Sequence, residues 1–342
     1  MSRVVLLSLF SSRFVLLCLS VAVAAVPALA EDKAGETVKR KQLVIVSFDG
    51  AHDNALWEKS RAMAKRTGAH FTYFLSCTFL FPREDRATYQ APHEKRGRSN
   101  VGFSPDRQDT LLRLSEIWMA KQEGHDIGSH ACGHFDGGKW SEKDWTAEFT
   151  FFTDALKNGW RNAGAPEREP ADWQRFVKED IKGFRAPYLS AGPGLVKALE
   201  AKGFTYDASL VTKGPAMPVT SGDIARFGLP LIPEGASQRP VIAMDYNLYV
   251  RHSKGKENPE KSAAFEDSTL KAYREAFTGQ YDGARIPLQL GFHFVEMNAG
   301  AYWRALNRFL TETCGKEDVA CVSYAQAMDI LAKEKRAAGA AL

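Results

Sequence analysis

Cysteine is scarce in this sequence, and the few cysteines present form no metal-binding motif. Only 5 of the 342 residues are cysteine and no C-x-x-C occurs, which argues against a structural zinc finger or ribbon. Cys18 lies in the apolar N-terminal segment, and the remaining four are an even number, which fits disulfide bonds better than free thiols in an exported chain. Cys314 and Cys321 enclose a short loop and are expected to pair, which would leave Cys77 for Cys132, although three connectivities can be drawn.

Strong charge of either sign is also missing. The formal net charge is +4, and no run of five or more Lys or Arg residues occurs. Residues 1–30 contain two arginines and no acid, so removing them would leave +2. Such a balance does not indicate a nucleic-acid-binding protein. A Gly-rich phosphate loop is absent after the first predicted strand, which argues against a nucleotide-binding fold.

Long apolar runs are confined to the N-terminus. Arg3 and Arg13 flank an apolar stretch over residues 14–26, and small residues follow it at the sequence PALA. This pattern predicts a signal peptide over residues 1–30, followed by a charged leader over residues 31–40 and a periplasmic or secreted protein. A retained membrane anchor is the alternative, but the apolar run is shorter than the roughly 20 residues that a span needs.

The rest of the chain alternates strand and helix patterns. The stretch KQLVIVSFD (residues 41–49) is typical of a buried strand, ALWEKSRAMAKRTG (55–68) of a helix, and AHFTYFLS (69–76) of a second strand. This β-α-β unit predicts parallel pairing. Similar alternation continues to about residue 335, which indicates a single α/β domain whose strand count suits a barrel better than an open sheet.

Three further segments carry local predictions. Residues 82–108 are polar and contain proline, so they are expected to form a long loop at the mouth of the scaffold, able to wall a groove. Residues 109–124 predict a helix with Asp109 at its cap. The stretch RPVIAMDYNLYV, residues 239–250, predicts a strand.

Polar side chains follow five of the predicted strands. In a parallel α/β barrel, chemistry collects at the carboxyl ends of the strands. The residues at these ends are Asp49, His130 with His134, Arg185 with Tyr188, Asp245 with Asn247, and His293. Their repeated position favours an active site over a solvent-exposed turn at Asp49.

These residue types suit a metal-assisted hydrolysis. His130 and His134 stand four residues apart, so a helix-like turn would bring both imidazoles to one divalent metal. Asp49 could serve as a general base, His293 as a general acid, and Arg185 could orient Asp49. Each residue alone has a simpler explanation, such as a helix cap, a surface ion pair or a core histidine.

Six short motifs together resemble the polysaccharide deacetylases, carbohydrate esterase family 4, and most closely its chitin-deacetylase-like branch. The resemblance covers residues 40–335. Its motifs are SFDG (47–50), GSHACGH (128–134), RAPY (185–188), YDAS (206–209), AMDYN (243–247) and LGFHF (290–294).

The resemblance implies a distorted (β/α)7 barrel over residues 41–335 that removes acetyl groups from an acetylated polysaccharide or oligosaccharide. By similarity, His130 and His134 would bind zinc or a similar divalent ion. The same comparison makes Asp49 the catalytic base held by Arg185, His293 the acid, Asp245 its orienting partner, and the Tyr188 N–H an oxyanion donor.

Gly50 departs from this family pattern. The family usually carries a second aspartate there, as the third metal ligand, and glycine has no side chain to replace it. Asp53 or His52 could fold back into the empty position, water could fill it, or Asp49 could become the ligand and leave the base role open. The alternative function is a metal-free carbohydrate-binding relative without catalytic activity.

Five aromatic residues near the motifs could stack on sugar rings. For Trp140, Trp145, Tyr249 and Tyr302, packing in the core or between helices is the simpler expectation. Tyr246 is the exception, because it lies inside one of the motifs, and it is predicted to contact substrate.

Overall fold

The apolar run near residue 45 forms the strand on which the sheet is built. The computed structural model describes residues 40–340, and in it this run lies within strand β1 (Gln42–Gly50), buried along all but its last residue. A strand covered on both faces reads as a continuous apolar run. The predicted signal peptide and all but the last residue of the predicted leader lie outside the described residues. No helix between residues 40 and 340 is long and apolar enough to cross a bilayer.

Strands and helices alternate along most of the described chain. The strands after β1 are β2 (Thr72–Leu75), β3 (Asp126–Ser129), β4 (Gly183–Phe184), β5 (Tyr206–Thr212), β6 (Val219–Ser221), β7 (Ile224–Glu234), β8 (Arg239–Ile242), β9 (Leu288–His293) and β10 (Val319–Val322). The helices are α1 (Asn54–Thr67), α2 (Arg107–Gln122), α3 (Glu142–Lys157), α4 (Gly159–Asn162), α5 (Trp173–Glu179), α6 (Leu195–Ala201), α7 (Asp245–Ser253), α8 (Ser262–Tyr281), α9 (Met297–Thr313) and α10 (Tyr324–Ala340). Short 3₁₀ helices occupy Cys77–Leu80, Arg83–Thr88, Pro166–Arg168, Pro187–Leu189 and Pro259–Lys261.

The parallel strands form one curled sheet. Strand β1 pairs with β10 along its first half, with β2 along its second half, and with β9. From β2 the parallel sheet continues through β3, β4 and β5 to β7, to which β6 and β8 add antiparallel pairs. An isolated parallel bridge between Met244 and Gly291 links the segment after β8 to β9. The result is a half-barrel, which confirms the predicted single-domain α/β fold related to a distorted (β/α)7 barrel.

The register of the sheet aligns the carboxyl ends of its strands. Asp49 in β1 is paired with His293 in β9, and Ser129 in β3 is paired with Phe184 in β4. The residues that follow β3 and β4 therefore emerge beside Asp49. This alignment is the reason why motifs far apart in sequence meet in one place.

An aromatic cluster supports the end of β1 from outside the barrel. Phe48 has its ring centroid 4.9 Å from that of Trp303, 5.6 Å from that of Tyr73 and 5.6 Å from that of Phe294. Because successive side chains of a strand point to opposite faces, this packing directs Asp49 to the inside of the curled sheet.

The predicted strand over residues 239–250 is wrong in its second half. Strand β8 ends at Ile242 and helix α7 begins at Asp245. The Asp245 carboxylate accepts hydrogen bonds from the N–H groups of Tyr246 and His293, so this side chain ties the chain to β9 and ends the extended segment. Helix α2 also begins earlier than predicted, because its N-cap is Asp106, three residues before the predicted cap Asp109.

Other local predictions are confirmed. Residues 82–106 form a long connection whose regular structure is the 3₁₀ helix Arg83–Thr88. The disulfide bonds join Cys77 to Cys132 and Cys314 to Cys321. The first of these links the chain after β2 to the loop between His130 and His134.

Candidate active site

A pocket of about 190 Å³ opens at the carboxyl ends of β1, β3 and β9. It is lined by Asp49, Gly50, His52, His130, His134 and His293, together with Phe79, Val101, Phe294 and Val295. The structure thus brings together, in one concave site, candidate residues from three separate motifs.

Gly50 occupies a conformation that suits glycine. Its φ is 86°, in the left-handed region that residues with a Cβ rarely adopt, and Ala51 follows with φ 48°. A Cβ built at Gly50 would meet no other atom within 4 Å. The position that would carry the third metal ligand is therefore sterically open, and it contributes no side chain to the pocket.

Asp49 is a buried carboxylate paired with a buried guanidinium. Its Oδ1 lies 2.9 Å from Nη1 of Arg185, and the two side chains are 3% and 0% exposed. Burial alone would raise the pKa of Asp49. The charge of Arg185, its hydrogen bond to Asp49 and the charge of His293 outweigh that effect and lower the pKa below its ordinary value. Asp49 is therefore ionised, as a general base requires.

Arg185 is fixed on all sides by contacts other than Asp49. It donates hydrogen bonds to Ser47 Oγ at 2.7 Å, to the Ala208 carbonyl at 3.0 Å and to Tyr324 Oη at 2.9 Å. Its guanidinium also lies 4.7 Å from the ring centroid of Phe74. With its donors so engaged, Arg185 cannot swing away from Asp49. The sequence did not single out Ser47 or Tyr324, although Ser47 shares a strand face with Asp49 two residues on.

His130 is a neutral histidine with a free ring nitrogen. It is 2% exposed, and its Nδ1 lies 2.8 Å from the carbonyl oxygen of Arg185. Burial lowers the pKa of His130 to about 3. Its buried Nε2 has no hydrogen-bond partner among the described residues. A buried unpaired acceptor of this kind is suited to binding a metal ion.

His134 lies beside His130, but the two do not share a helical turn. Ala131 and His134 both have positive φ values, 57° and 55°, so the segment turns back on itself as a loop. The ring centroids of the two histidines are 5.1 Å apart. Burial, reinforced by the charge of His293, also lowers the pKa of His134. The expected adjacency of the imidazoles is present, and its structural cause differs from the predicted helix-like turn.

His293 is paired with Asp245. Its Nδ1 lies 2.7 Å from Oδ1 of Asp245, which is fully buried, while the His293 side chain is 28% exposed toward the pocket. Burial opposes the charged imidazole, but the Asp245 carboxylate outweighs it and raises the pKa of His293. His293 can therefore hold a proton near neutral pH and present it to the pocket through Nε2.

Two exposed aromatic side chains border these histidines. Tyr188 is 60% exposed, with its ring centroid 4.7 Å from that of His134, and Tyr246 is 52% exposed, with its ring 6.0 Å from that of His293. Among residues 40–340, Tyr188 and Tyr246 are the only Phe, Tyr or Trp residues that are exposed. The other aromatic candidates, Trp140, Trp145, Tyr249 and Tyr302, are buried as expected.

The two substitute metal ligands occupy different positions. Asp53 does not reach into the pocket, because its Oδ1 accepts hydrogen bonds from the N–H groups of Ala55 and Leu56 and caps helix α1. His52 is exposed at the pocket rim, where its ring stacks on Phe79 with centroids 4.9 Å apart.

The donor set fits a metal ion only in part. His130 and His134 offer two neutral imidazoles, and the unpaired Nε2 of His130 needs a partner. Within residues 40–340, however, no group of three or more His, Cys, Asp or Glu side chains is placed to hold a metal ion. Catalytic zinc sites usually have three protein ligands. The described residues therefore supply a two-histidine site whose remaining positions would fall to water or to a movement of Asp49.

The segment from His130 to His134, which we call the histidine loop, is held by a buried network that the sequence did not indicate. Glu148, on helix α3, accepts hydrogen bonds at one oxygen from the Cys132 N–H at 2.9 Å and from Tyr89 Oη at 2.8 Å. Tyr89 Oη accepts in turn from the Gly133 N–H at 2.9 Å. These contacts hold the backbone between His130 and His134, and no local sequence signal distinguishes them.

Comparisons with protein-family models and with curated proteins give no match. Comparison with solved structures does. A Mycobacterium smegmatis protein assigned to the polysaccharide deacetylases is 17% identical, with a TM-score of 0.52, 87% of this chain covered and 93% of that one. The carbohydrate esterase family 4 domain of a xylanase from the hindgut metagenome of Trinervitermes trinervoides is 13% identical, with a TM-score of 0.45 and coverages of 86% and 92%. A pseudoenzyme of the same family from Bacillus anthracis is 9% identical, with a TM-score of 0.45 and coverages of 84% and 65%. The similarity to the Mycobacterium smegmatis structure shows that the chain has the polysaccharide deacetylase fold.

Proposed function

We propose that the protein is an exported, metal-dependent deacetylase that removes N-acetyl or O-acetyl groups from a cell-wall or extracellular glycan. One observation carries the proposal. Asp49 and His293 are paired residues of β1 and β9 that line one pocket, and their surroundings shift their pKa values in opposite directions. An ionised carboxylate next to a protonated imidazole provides the base and the acid that hydrolysis of an amide or ester requires.

The proposed reaction is attack by water on the acetyl carbonyl carbon. Asp49 accepts a proton from the water, the C–N or C–O bond breaks, and His293 protonates the departing amine or alkoxide, so that acetate is released. The Tyr188 N–H would bind the oxyanion, a contribution often worth about 3 kcal/mol. Arg185 keeps Asp49 ionised and in place, and Asp245 does the same for the protonated form of His293.

His130 and His134 would hold the metal. The ion would be divalent, with zinc as our first candidate, and its chemistry would be to polarise the acetyl carbonyl and to lower the pKa of a bound water. The unpaired Nε2 of His130 supports this role. Because Gly50 offers no side chain and Asp53 caps a helix, we expect water to occupy the third position and the ion to be held more weakly than by three protein ligands.

Two features support a glycan substrate and an exported protein. Tyr188 and Tyr246 expose their rings beside the pocket residues His134 and His293, where they can stack on sugar rings. The disulfide bonds suit an oxidising compartment such as the periplasm or the extracellular space.

A metal-free carbohydrate-binding protein is the second candidate. It is favoured by the missing side chain at Gly50 and by the engagement of Asp53 in capping. The metal content of the purified protein separates the two candidates. Stoichiometric zinc that disappears in a His130→Ala variant would exclude the metal-free function.

The activity is tested by acetate release. The purified protein, supplied with zinc or cobalt, is incubated with acetylated chito-oligomers, peptidoglycan and acetylxylan. We expect acetate from at least one of them, and a loss of roughly 10²- to 10⁴-fold in kcat for Asp49→Asn, which removes the base. No acetate from any substrate, under conditions in which a control deacetylase works, would contradict the proposal.

A further inference from the structure

The connection over residues 82–106 forms a second pocket next to the active site. Its volume is about 470 Å³, and its charged lining residues are Arg83, Arg86 and Arg98. No Asp or Glu side chain belongs to the lining. The pocket, which we call the arginine pocket, therefore has one sign of charge.

Two of these arginines lack an acidic partner. The acids of the same segment are engaged elsewhere, since Glu84 and Asp85 pair with Arg107. Among the described residues, the side chains of Arg83 and Arg86 form no ion pair and no hydrogen bond. Only the third arginine is neutralised, by Glu94 at 2.8 Å. The positive charge at this pocket is therefore not balanced by the protein.

The arginine pocket is held in a fixed place relative to the catalytic residues. Val101 lines both this pocket and the active-site pocket. Its neighbour Asn100 donates hydrogen bonds from its backbone N–H to the Gly133 carbonyl at 2.8 Å and from its side chain to the His134 carbonyl at 3.0 Å. The segment that lines the arginine pocket is thus bonded directly to the loop between His130 and His134, and the two pockets are neighbours.

We propose that the arginine pocket binds an anionic group, namely a carboxylate carried by the glycan next to the sugar that is deacetylated. The planar guanidinium groups of arginine match carboxylates with two parallel hydrogen bonds. This inference rests on the proposed function and narrows its substrate to an acidic, acetylated glycan such as one containing uronic acid. Phosphate or sulfate groups on a glycan share the same chemistry.

The test compares one polymer with and without its carboxylates. Binding of the purified protein to partially acetylated glucuronoxylan and to the same polymer after carboxyl reduction is measured by calorimetry. We expect the acidic form to bind at least about tenfold more tightly, which corresponds to about 1.4 kcal/mol. The Arg83→Gln/Arg86→Gln double variant should lose this preference and bind the reduced polymer as the wild type does.

Competition with free glucuronate, phosphate and sulfate identifies the preferred anion. Stronger competition by phosphate or sulfate than by glucuronate would overturn the carboxylate assignment.

A matched variant controls for general charge. Lys95→Gln/Arg96→Gln removes two positive charges from exposed residues of the same segment that do not line the pocket. Equal loss of preference in both double variants would overturn a specific pocket. Acetate release measured in parallel separates the two proposals. A carboxylate preference without acetate release would support the pocket and contradict the activity, whereas acetate release without any preference would contradict the pocket alone.

Discussion

Nδ1 of His130 donates a hydrogen bond to the backbone carbonyl oxygen of Arg185 across 2.8 Å. A carbonyl oxygen can only accept, so this contact fixes the neutral imidazole as its Nδ1–H tautomer and leaves the Nε2 lone pair for a metal. The side chain of Arg185 meanwhile binds Asp49. A single residue thus positions both the candidate base and a candidate metal ligand.

Removing the imidazole of His130 should strongly weaken metal binding. We expect His130→Ala to lose zinc affinity by at least about 100-fold, because one of two protein ligands is gone. The measurement is zinc titration of the metal-stripped protein, with the far-ultraviolet circular dichroism spectrum as the check of folding. A variant that binds zinc as tightly as the wild type would show that the ion is held elsewhere.

His52→Ala is the matched control for this experiment. His52 lies at the rim of the same pocket with its ring on Phe79, so its removal deletes an imidazole from the site without touching the pair of His130 and His134. We expect zinc affinity to change less than about threefold. A loss as large as that of His130→Ala would instead identify His52 as a ligand.

A carboxylate at position 50 should strengthen metal binding. Space for a side chain is open at Gly50, and aspartate tolerates the left-handed conformation better than most residues. We expect Gly50→Asp to raise zinc affinity by at least about tenfold. The positive φ should cost about 1–3 kcal/mol of stability.

Gly50→Ala is the comparison that isolates the carboxylate. Alanine imposes a similar backbone cost and offers no ligand, so its zinc affinity should stay near that of the wild type. Both variants should unfold at lower denaturant concentration than the wild type. If the aspartate variant binds zinc no better than the alanine variant, the third ligand position is not at residue 50.

Asp245 should set the alkaline limit of activity. Its carboxylate raises the pKa of His293, and a general acid works only while it holds its proton. Asp245→Asn keeps a hydrogen-bonding side chain but removes the charge, so the pKa of His293 should fall. We expect the alkaline limb of the pH profile of kcat/KM to move to lower pH, with a lower maximal rate.

Tyr246→Phe serves as the control for Asp245→Asn. Tyr246 lies next to His293, so this variant alters the neighbourhood of the acid and leaves the Asp245 carboxylate in place. Its alkaline limb should coincide with that of the wild type. An alkaline limb that stays in place in Asp245→Asn would show that His293 does not limit activity at high pH.

Much of the site could be predicted because parallel strands end at one edge of a sheet. Asp49 and His293 lie near the ends of β1 and β9, and His130 and Arg185 directly follow β3 and β4. The register of the sheet therefore brings the four together: Asp49, His130 and His293 line the pocket, and the buried Arg185 binds Asp49. The proximity of residues at the strand ends depends on strand order alone. It can therefore be read from motifs that are hundreds of residues apart.

The features that the sequence did not predict depend on competition between local and distant contacts. Asp53 is close to Gly50 in sequence and is therefore a candidate metal ligand. The first N–H groups of helix α1 need a hydrogen-bond acceptor, however, and the Asp53 side chain is that acceptor. Asp245 ends a segment of high strand propensity because it binds the N–H of His293, 48 residues away. Glu148 contacts the histidine loop only after helix α3 has packed, and a sequence pattern carries no sign of such contacts.

Glu148 should make the stability of the protein depend on pH. Burial outweighs its hydrogen bonds and raises the pKa of Glu148 from 4.5 to about 7. The folded state therefore keeps a proton on Glu148 that the unfolded state releases, so the contribution of Glu148 to stability falls as the pH rises from about 4.5 to about 7 and is constant above that. Glu148→Gln resembles the protonated side chain. Relative to the wild type, we expect it to be equally stable at pH 4 and more stable at pH 8, by on the order of 1–3 kcal/mol.

Urea unfolding of both proteins at pH 4, 6 and 8, without metal, measures this difference, because all other titrating groups are shared. Glu142→Gln is the control on the same helix. It removes an exposed carboxylate from the first turn of α3, where negative charge is favourable, so it should gain no stability at pH 8. A difference between Glu148→Gln and the wild type that is the same at all three pH values would show that Glu148 does not titrate in this range. In that case its role would be limited to holding the backbone of Cys132.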